Sequence, residues 1–274
     1  LNERKQIDEF TKLVITFLGH YKGAQLTESD LSNKINKLEN TARHQAFINV
    51  FLPIYESYQE KLKSEDKIDF HDMISEATEL VKSGKYSNPF GYVMVDEFQD
   101  ISVGRSKLIK ALQGSNPDTQ IFCVGDDWQA IYRFTGADIN IMKQFEENFG
   151  ASARSDLSKT FRCEEKITEH AKHFVLQNDF QISKNVEAIR KSSSESVIIS
   201  FRTDDETEQI RSITSLISDE LIKNDISKKK SVLFLGRYRT EILSSFAKFD
   251  YYRFIRSLNQ DYKNLDLSYK TMHG

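Results

Sequence analysis

Proline and glycine are scarce, with three and eleven in 274 residues. That excludes a proline-rich or glycine-rich linker protein and any low-complexity repeat of those residues. Cysteine is scarcer still: Cys123 and Cys163 stand alone, outside any CxxC or CxxH pattern. A disulfide framework is thereby excluded, and two isolated thiols fit a reducing cytoplasm. No apolar run approaches the ~20 residues that span a membrane, and no secretory leader is visible. Neither sign of charge is in large excess. The formal net charge of −3 neither supports nor excludes a nucleic-acid partner, because basic groups can line one groove of an acidic protein. His20, His44, His170 and His173 show no metal-ligand spacing and read as structural or solvated. No segment repeats at a fixed period. The chain opens on Leu1 rather than Met and stops at Thr271-Met272-His273-Gly274, so both ends are expected to be cuts in a longer chain.

What is present begins with helix patterns. Residues 1 to 88 read as helical. Phe10, Leu13, Val14, Phe17 and Leu18 follow helix spacing. Thr27 and Asp30 resemble a capping box ahead of Leu31, Ile35 and Leu38. Ala46, Val50, Leu52, Ile54, Tyr55 and Tyr58 predict a long helix with Pro53 as a kink or early break. Phe70, Met73, Ile74, Ala77 and Leu80 form one more amphipathic face, closed by Ser83-Gly84-Lys85.

From residue 91 the rhythm changes to strand, helix, strand. Tyr92 to Val95 and Gln120 to Val124 are short apolar runs, each closed by acids, with a helix over Lys107 to Leu112 between them. Continuous apolar runs predict parallel strands buried on both faces. Asp156 to Lys159 is a third strand candidate, Glu164 to Leu176 a helix, and the polar stretch Gln177 to Ser196 a linker. The rhythm then resumes: strand Val197 to Phe201, helix Glu206 to Ile222, strand Ser231 to Leu235, and weaker strands at Tyr252 to Ile255 and Leu265 to Tyr269. The fold class is therefore α/β, with a helical segment in front.

Two constellations carry chemistry. Val93-Met94-Val95-Asp96-Glu97-Phe98-Gln99-Asp100 delivers adjacent carboxylates to the end of a strand, where open α/β sheets bind ligands. Nucleotide hydrolysis needs one carboxylate near Mg²⁺ and one base or positioner for the attacking water, and adjacent Asp and Glu can divide those tasks. A solvated acidic turn is the plain alternative. Gly125 to Asp138 follows the next strand. Gly125 permits a tight exit from the sheet. Gln129 both donates and accepts, as a sensor between phosphate and water must. Arg133 beside Phe134 suits nucleic acid, since arginine meets phosphates and aromatics stack on bases. Trp128 and Ile131 are expected only to pack the turn.

These stretches resemble those of UvrD/Rep-type superfamily 1 DNA helicases. Asp96-Glu97-Phe98-Gln99-Asp100 looks like their motif II, Gly125 to Asp138 like motif III, and Leu157-Ser158-Lys159-Thr160-Phe161-Arg162 like motif IV. Asp69-Phe70-His71-Asp72-Met73 is similar to the signature before motif II, and Thr271-Met272-His273-Gly274 to the opening of motif V. The wording Gly-Asp-Asp-Trp-Gln-Ala-Ile-Tyr-Arg-Phe resembles the bacterial helicase IV branch in particular. Five matches in the family's order are far more specific than any one of them.

The resemblance implies P-loop NTPase (RecA-like) parallel-sheet motor domains: a helical insertion subdomain over 1–88, part of a first motor domain over 89–180, and the start of a second over 181–274. It implies ATP and Mg²⁺ as cofactors, with Asp96 on the metal and Glu97 as the base. Gln129 would touch the γ-phosphate, Arg162 would be an arginine finger, and Phe161 would stack near adenine. Arg133, Phe134, Thr271 and His273 would meet DNA. Implied partners are single-stranded and partial duplex DNA, with RNA polymerase or a repair protein as a further candidate, and no membrane. The implied location is cytoplasmic.

The sequence also departs from the family. No Gly-x-x-x-x-Gly-Lys-Thr loop exists, so the phosphate cradle is missing and this chain alone is expected to be inactive. Phe134-Thr135-Gly136-Ala137 replaces the Trp-Arg-Gly-Ala often found in UvrD, and no large insertion fits between Arg237 and Thr271. Three alternatives stay open. Asp96, Glu97, Asp100, Asp126 and Asp127 could form a two-metal nuclease cluster. The chain could be a helicase-like module kept for binding DNA or RNA polymerase. Arg162 could merely pair with Glu164 or Glu165.

Overall fold

The computed structural model describes residues 2–192, 230–236 and 265–271. The chain divides into two compact units, Leu1–Ser193 and Ser194–Gly274. Among the described residues the architecture is mixed α/β, with three parallel strand pairs and no helix long and apolar enough to cross a membrane.

The first unit opens with helices α1 (Asn2–Gly23), α2 (Glu28–Ile35), α3 (Thr41–Ser64) and α4 (Phe70–Lys82). The capping box before α2 forms as expected: Thr27 and Asp30 exchange side-chain and backbone hydrogen bonds, which satisfies donors that a helix start leaves open. Helices α1 to α3 meet around Val14, Tyr21, Leu31, Ile35, Ile48 and Phe51. Phe51 is fully buried, with the Phe17 ring 4.7 Å away edge-on and Tyr21 at 5.5 Å. Burial of such a side chain contributes roughly 1.5–3 kcal/mol. Pro53 does not break the helix: α3 runs through it, with Ile48 and Phe51 buried just ahead.

The Asp69-Phe70-His71-Asp72 signature has a structural task. Asp69 caps α4 by accepting from the amides of His71 and Asp72, and Asp72 returns a bond to the Asp69 amide. The same two carboxylates take the ammonium of Lys22 from α1, at 2.5 and 2.6 Å. Lys22 is nearly sequestered from water, and Gln59 and the Tyr58 hydroxyl complete the cluster. Breaking such a buried pair from one side is costly, because it leaves an uncompensated charge behind.

The second core belongs to the α/β part. Strands β1 (Tyr92–Val95) and β2 (Gln120–Cys123) flank α5 (Val103–Ser115), whose first turn Ser102 caps. Short helices α6 (Ile139–Lys143) and α7 (Phe145–Phe149) follow. Phe98, Ile101, Ile109, Ile141 and Phe149 form this core, with Val93, Val95, Ile121 and Cys123 packed on it. The α5 start presses on the α1 end: a β-carbon on Gly104 would fall 3.1 Å from the Gly23 carbonyl oxygen.

Three expectations need correction. The β1 and β2 runs are not buried on both faces: Tyr92 and Met94 are 69% and 72% exposed, because α5 to α7 pack against the Val93 and Val95 face. The third strand is not Asp156 to Lys159 but β3 (Lys159–Glu164). Asp156 instead holds Arg154 in an exposed turn at 2.8 Å. The stretch expected as a linker over Gln177 to Ser196 is no linker in its described part, up to residue 192. It contains β4 (Glu187–Arg190), which pairs parallel with β3 across α8 (Glu165–Val175).

In the second unit, β5 (Lys230–Gly236) and β6 (Leu265–Thr271) pair parallel in unbroken register from Lys230↔Leu265 to Gly236↔Thr271. The strands expected over Val197 to Phe201 and Tyr252 to Ile255, and the helix over Glu206 to Ile222, lie outside the described residues.

Candidate functional site

Strands β1 and β2 are parallel and in register, Tyr92↔Gln120 through Val95↔Cys123, so their carboxyl ends finish level. Val124 donates to the Val95 carbonyl at 2.8 Å, and Phe98 to the Val124 carbonyl at 2.9 Å. The acids after β1 and the turn after β2 therefore lie side by side. Asp96 and Glu97 are both exposed at this edge. Glu97 holds a left-handed backbone, φ 49°, which costs a non-glycine residue of order 1 kcal/mol or more. Such strain concentrates at functional positions.

Gln99 is buried and joins the two strand ends. Its Nε2 donates to Glu97 Oε2 at 2.7 Å, and its Oε1 accepts from the Asp126 amide at 2.9 Å. The close approach explains Gly125. A β-carbon there would stand 2.8 Å from Gln99 Oε1 and 3.0 Å from the Phe98 nitrogen. Gln129 donates through Nε2 to Asp126 Oδ2 at 2.7 Å. Burial opposes ionisation of Asp126, but hydrogen bonds from Gln129 and Lys184, with the lysine's charge, outweigh it and hold the carboxyl below the ordinary range. Asp100 is shifted the other way. Burial, with the charge of Glu97, raises it, and its Oδ1 is buried with no hydrogen-bond partner among the described residues.

The sequence-predicted residues thus fall into groups. Asp96, Glu97 and Gln129 come together at one edge. Arg133 and Phe134 lie on the turn just beyond, exposed, with the Tyr132 and Phe134 rings 6.0 Å apart. Ile131 does not pack that turn as expected but is exposed beside them, whereas Trp128 is half-buried. Phe161 and Arg162 sit on β3, where its register with β4 shifts between Thr160 and Glu164. Both are exposed, and irregular pairing re-aims side chains next to functional sites. Arg162 does not pair with Glu164 or Glu165. Those acids take Arg190 and Lys191, and Arg162 has no ion pair among the described residues. Thr271 ends β6 in the second unit, and His273 lies outside the described residues.

The five-carboxylate nuclease cluster does not assemble. Asp126 and Asp127 share Lys184, and no group of three His, Cys, Asp or Glu among the described residues is placed to hold a metal. Sequence reading passed over Gln99 and Lys184. Gln99 lay inside a quoted motif, so its place was a usable signal. Lys184 stands 57 positions from Asp127 in a stretch without periodicity, and nothing local marked it.

The family described as UvrD/REP helicase N-terminal domain matches residues 2–150. DNA helicase IV of Escherichia coli (strain K12) is 38% identical over 152 residues, 56% of this chain and 22% of that protein. The ATP-dependent DNA helicase UvrD1 of Mycobacterium tuberculosis (strain ATCC 25618 / H37Rv) is 25% identical over 72% of the chain and 29% of its own length. The ATP-dependent DNA helicase Rep of Buchnera aphidicola subsp. Baizongia pistaciae (strain Bp) is 26% identical over 78% of the chain and 32% of its own. The chain thus spans between 22% and 32% of these relatives.

Proposed function

The chain belongs to the UvrD/Rep helicase family, and from that premise we propose that it is part of an ATP-driven motor that moves 3′ to 5′ on single-stranded DNA, in repair or recombination. The observation that carries the reading is the level ending of β1 and β2, which sets Asp96-Glu97 beside Gly125–Gln129 with Gln99 bridging them. Residues 1–88 are then a helical insertion, 89–180 part of a first RecA-like motor domain, and 181–274 the start of a second.

The donor set fits a magnesium–nucleotide site in part. Two exposed carboxylates at a sheet edge are hard oxygen donors of the kind Mg²⁺ takes, and Asp100 adds a buried oxygen without a hydrogen-bond partner among the described residues. Asp96 would hold the ion, which offsets phosphate charge when bound. Glu97 takes the proton of the attacking water. Gln99 holds that carboxylate in place, and Gln129 reports on the terminal phosphate from Asp126. Arg162, exposed and without an ion pair among the described residues, is suited to bring charge to the same place. Phe161 is placed to stack on adenine, and Phe134 with Arg133 on a DNA strand. Thr271 and His273 meet the DNA groove in this reading. The glycine-lysine phosphate cradle is not among these 274 residues. The chain by itself is therefore inactive on this reading.

The test uses the full-length protein that carries this chain. Glu97→Gln should lower DNA-stimulated ATP turnover by ~10²-fold or more while leaving ATP affinity in place. Retained turnover would reject Glu97 as the base. No turnover in the wild type would favour a binding module acting on DNA or RNA polymerase.

A further inference from the structure

The segment between α8 and β4 is clamped to the turn after β2. Lys184 Nζ donates to Asp126 Oδ1 and, at 2.9 Å, to Asp127 Oδ1. It also lies 4.7 Å from the centre of the Trp128 ring. Two residues earlier, the Ile182 amide donates to Asp127 Oδ2 at 2.7 Å, and Trp128 Nε1 returns a bond to the Ile182 carbonyl at 3.1 Å. The side chains of Lys184 and Asp127 are 15% and 2% exposed, so the ion pair is largely withdrawn from water. Such a pair is held by geometry and is costly to break from one side.

Each end of this clamp leads to a proposed site residue. On one side, the Asp126 oxygen not used by Lys184 holds the Gln129 amide, and the Asp126 amide holds Gln99, which holds Glu97. On the other, Lys184 stands just ahead of β4. Glu187 pairs with Lys159 and Ala188 with Thr160, immediately before Phe161 and Arg162 on β3. Arg190 Nη1 donates to the Arg162 carbonyl at 3.4 Å. Apart from this strap, no hydrogen bond or ion pair between described residues joins the β3–β4 pair to the turn that carries Gln129.

We propose that Lys184 is a positioning residue that couples the strand carrying Arg162 to the turn carrying Gln129, by holding Asp126 and Asp127. This deepens the functional reading above and rests on it. The lysine touches no reacting atom. It sets how firmly Asp126 retains the Gln129 amide. Without the lysine, Asp126 keeps only Gln129 and the Trp128 amide as side-chain partners, so Gln129 is released less readily, and the tie of the β3–β4 pair to the turn is reduced to the two bonds through Ile182.

The experiment measures ATP turnover by the full-length protein with single-stranded DNA, for wild type, Lys184→Met, Lys184→Arg, Gln129→Ala and the Lys184→Met/Gln129→Ala double variant. Lys184→Met should lower kcat about tenfold while moving KM for ATP less than about threefold. Lys184→Arg should restore most of it, since it keeps the cation. In the Gln129→Ala background, Lys184→Met should add little, because residues acting as one unit are not additive. Losses that multiply in the double variant would overturn the proposal, as would an equal loss in Lys184→Arg. Trp128, the only tryptophan of the chain, reports the clamp independently. Its emission should change in Lys184→Met and hold in Lys184→Arg, and unchanged emission in Lys184→Met overturns the clamp. If Lys184→Met does not fold, Lys184→Gln is read by the same comparisons. A wild type without turnover removes the functional reading and this proposal together; a wild type with turnover that loss of the lysine leaves untouched removes this proposal alone.

Discussion

Gly125 and Gln99 approach so closely that a β-carbon on the glycine would lie 2.8 Å from Oε1 of the glutamine. The backbone nitrogens of Phe98 and Gln99 stand behind it at 3.0 and 3.1 Å, so the glutamine alone cannot yield the space. Gly125→Ala should therefore destabilise the protein by about 1–3 kcal/mol, as overpacking does. It should also part the two strand ends. Denaturant unfolding measures the first effect and loss of turnover the second. A neutral alanine would mean that the turn is free to shift.

Glu97 offers a contrast between stability and activity. Its left-handed backbone suits glycine, and its carboxylate makes one bond to Gln99. Glu97→Gly should be more stable than Glu97→Ala by roughly 1 kcal/mol, since only alanine keeps the steric conflict. Both should be inactive in the full-length protein. Equal melting temperatures for the pair would show that the strain is relieved elsewhere.

The Lys22 cluster should contribute to the response to pH at both ends of the range. Burial opposes ionisation of Asp69, but the bond from Lys22, with those from the Asp72 amide and Tyr58, holds its carboxyl below the ordinary value. A depressed folded value means stability that is present above pH 3.8, the ordinary value, and lost as pH falls through the folded one. Tyr58 is pushed up to about 12 by burial and by its bond to Asp69. Its contribution is full below pH 10.0 and lost as pH rises towards 12. Burial raises Tyr21 as well, so phenolate absorbance against pH should show late-titrating tyrosines, and Tyr58→Phe should remove the part that titrates near 12. Lys22→Met, which leaves two carboxylates without their cation, should cost roughly 3–5 kcal/mol in denaturant unfolding.

Phe134 is 50% exposed on the turn beyond Gln129. Phe134→Ala should weaken single-stranded DNA binding by ~1–3 kcal/mol, the worth of a base–aromatic stack, with little change in melting temperature. Fluorescence anisotropy with a labelled oligonucleotide checks it. Unchanged affinity would remove Phe134 from the DNA path.

How much of this could be read in advance depended on the range of the interaction. The cap at Thr27 and Asp30, the strands at Tyr92 and Gln120, and the acids and glutamine after them rest on neighbours in sequence, and they were legible. Pro53 left a kink or an early break open because its penalty is local, whereas the burial of Phe51 that carries α3 past it comes from α1 and α2. The stretch around Lys184 misled for a related reason. Its partners are Asp126, Asp127 and Trp128, and no periodicity announces a tie across that distance. Strand β4 is too short and polar to stand out until β3 is laid beside it.

The parallel pairing has a kinetic consequence. Among the described residues, each of the three strand pairs joins neighbours in the element order, β1 with β2, β3 with β4 and β5 with β6. A parallel pair needs its whole crossover segment before it can close, so each pair forms only after that segment has left the ribosome. Order of appearance in the chain then becomes order of folding, and the Lys184 clamp, which needs both of the first two pairs in place, is among the last contacts of the first unit to form.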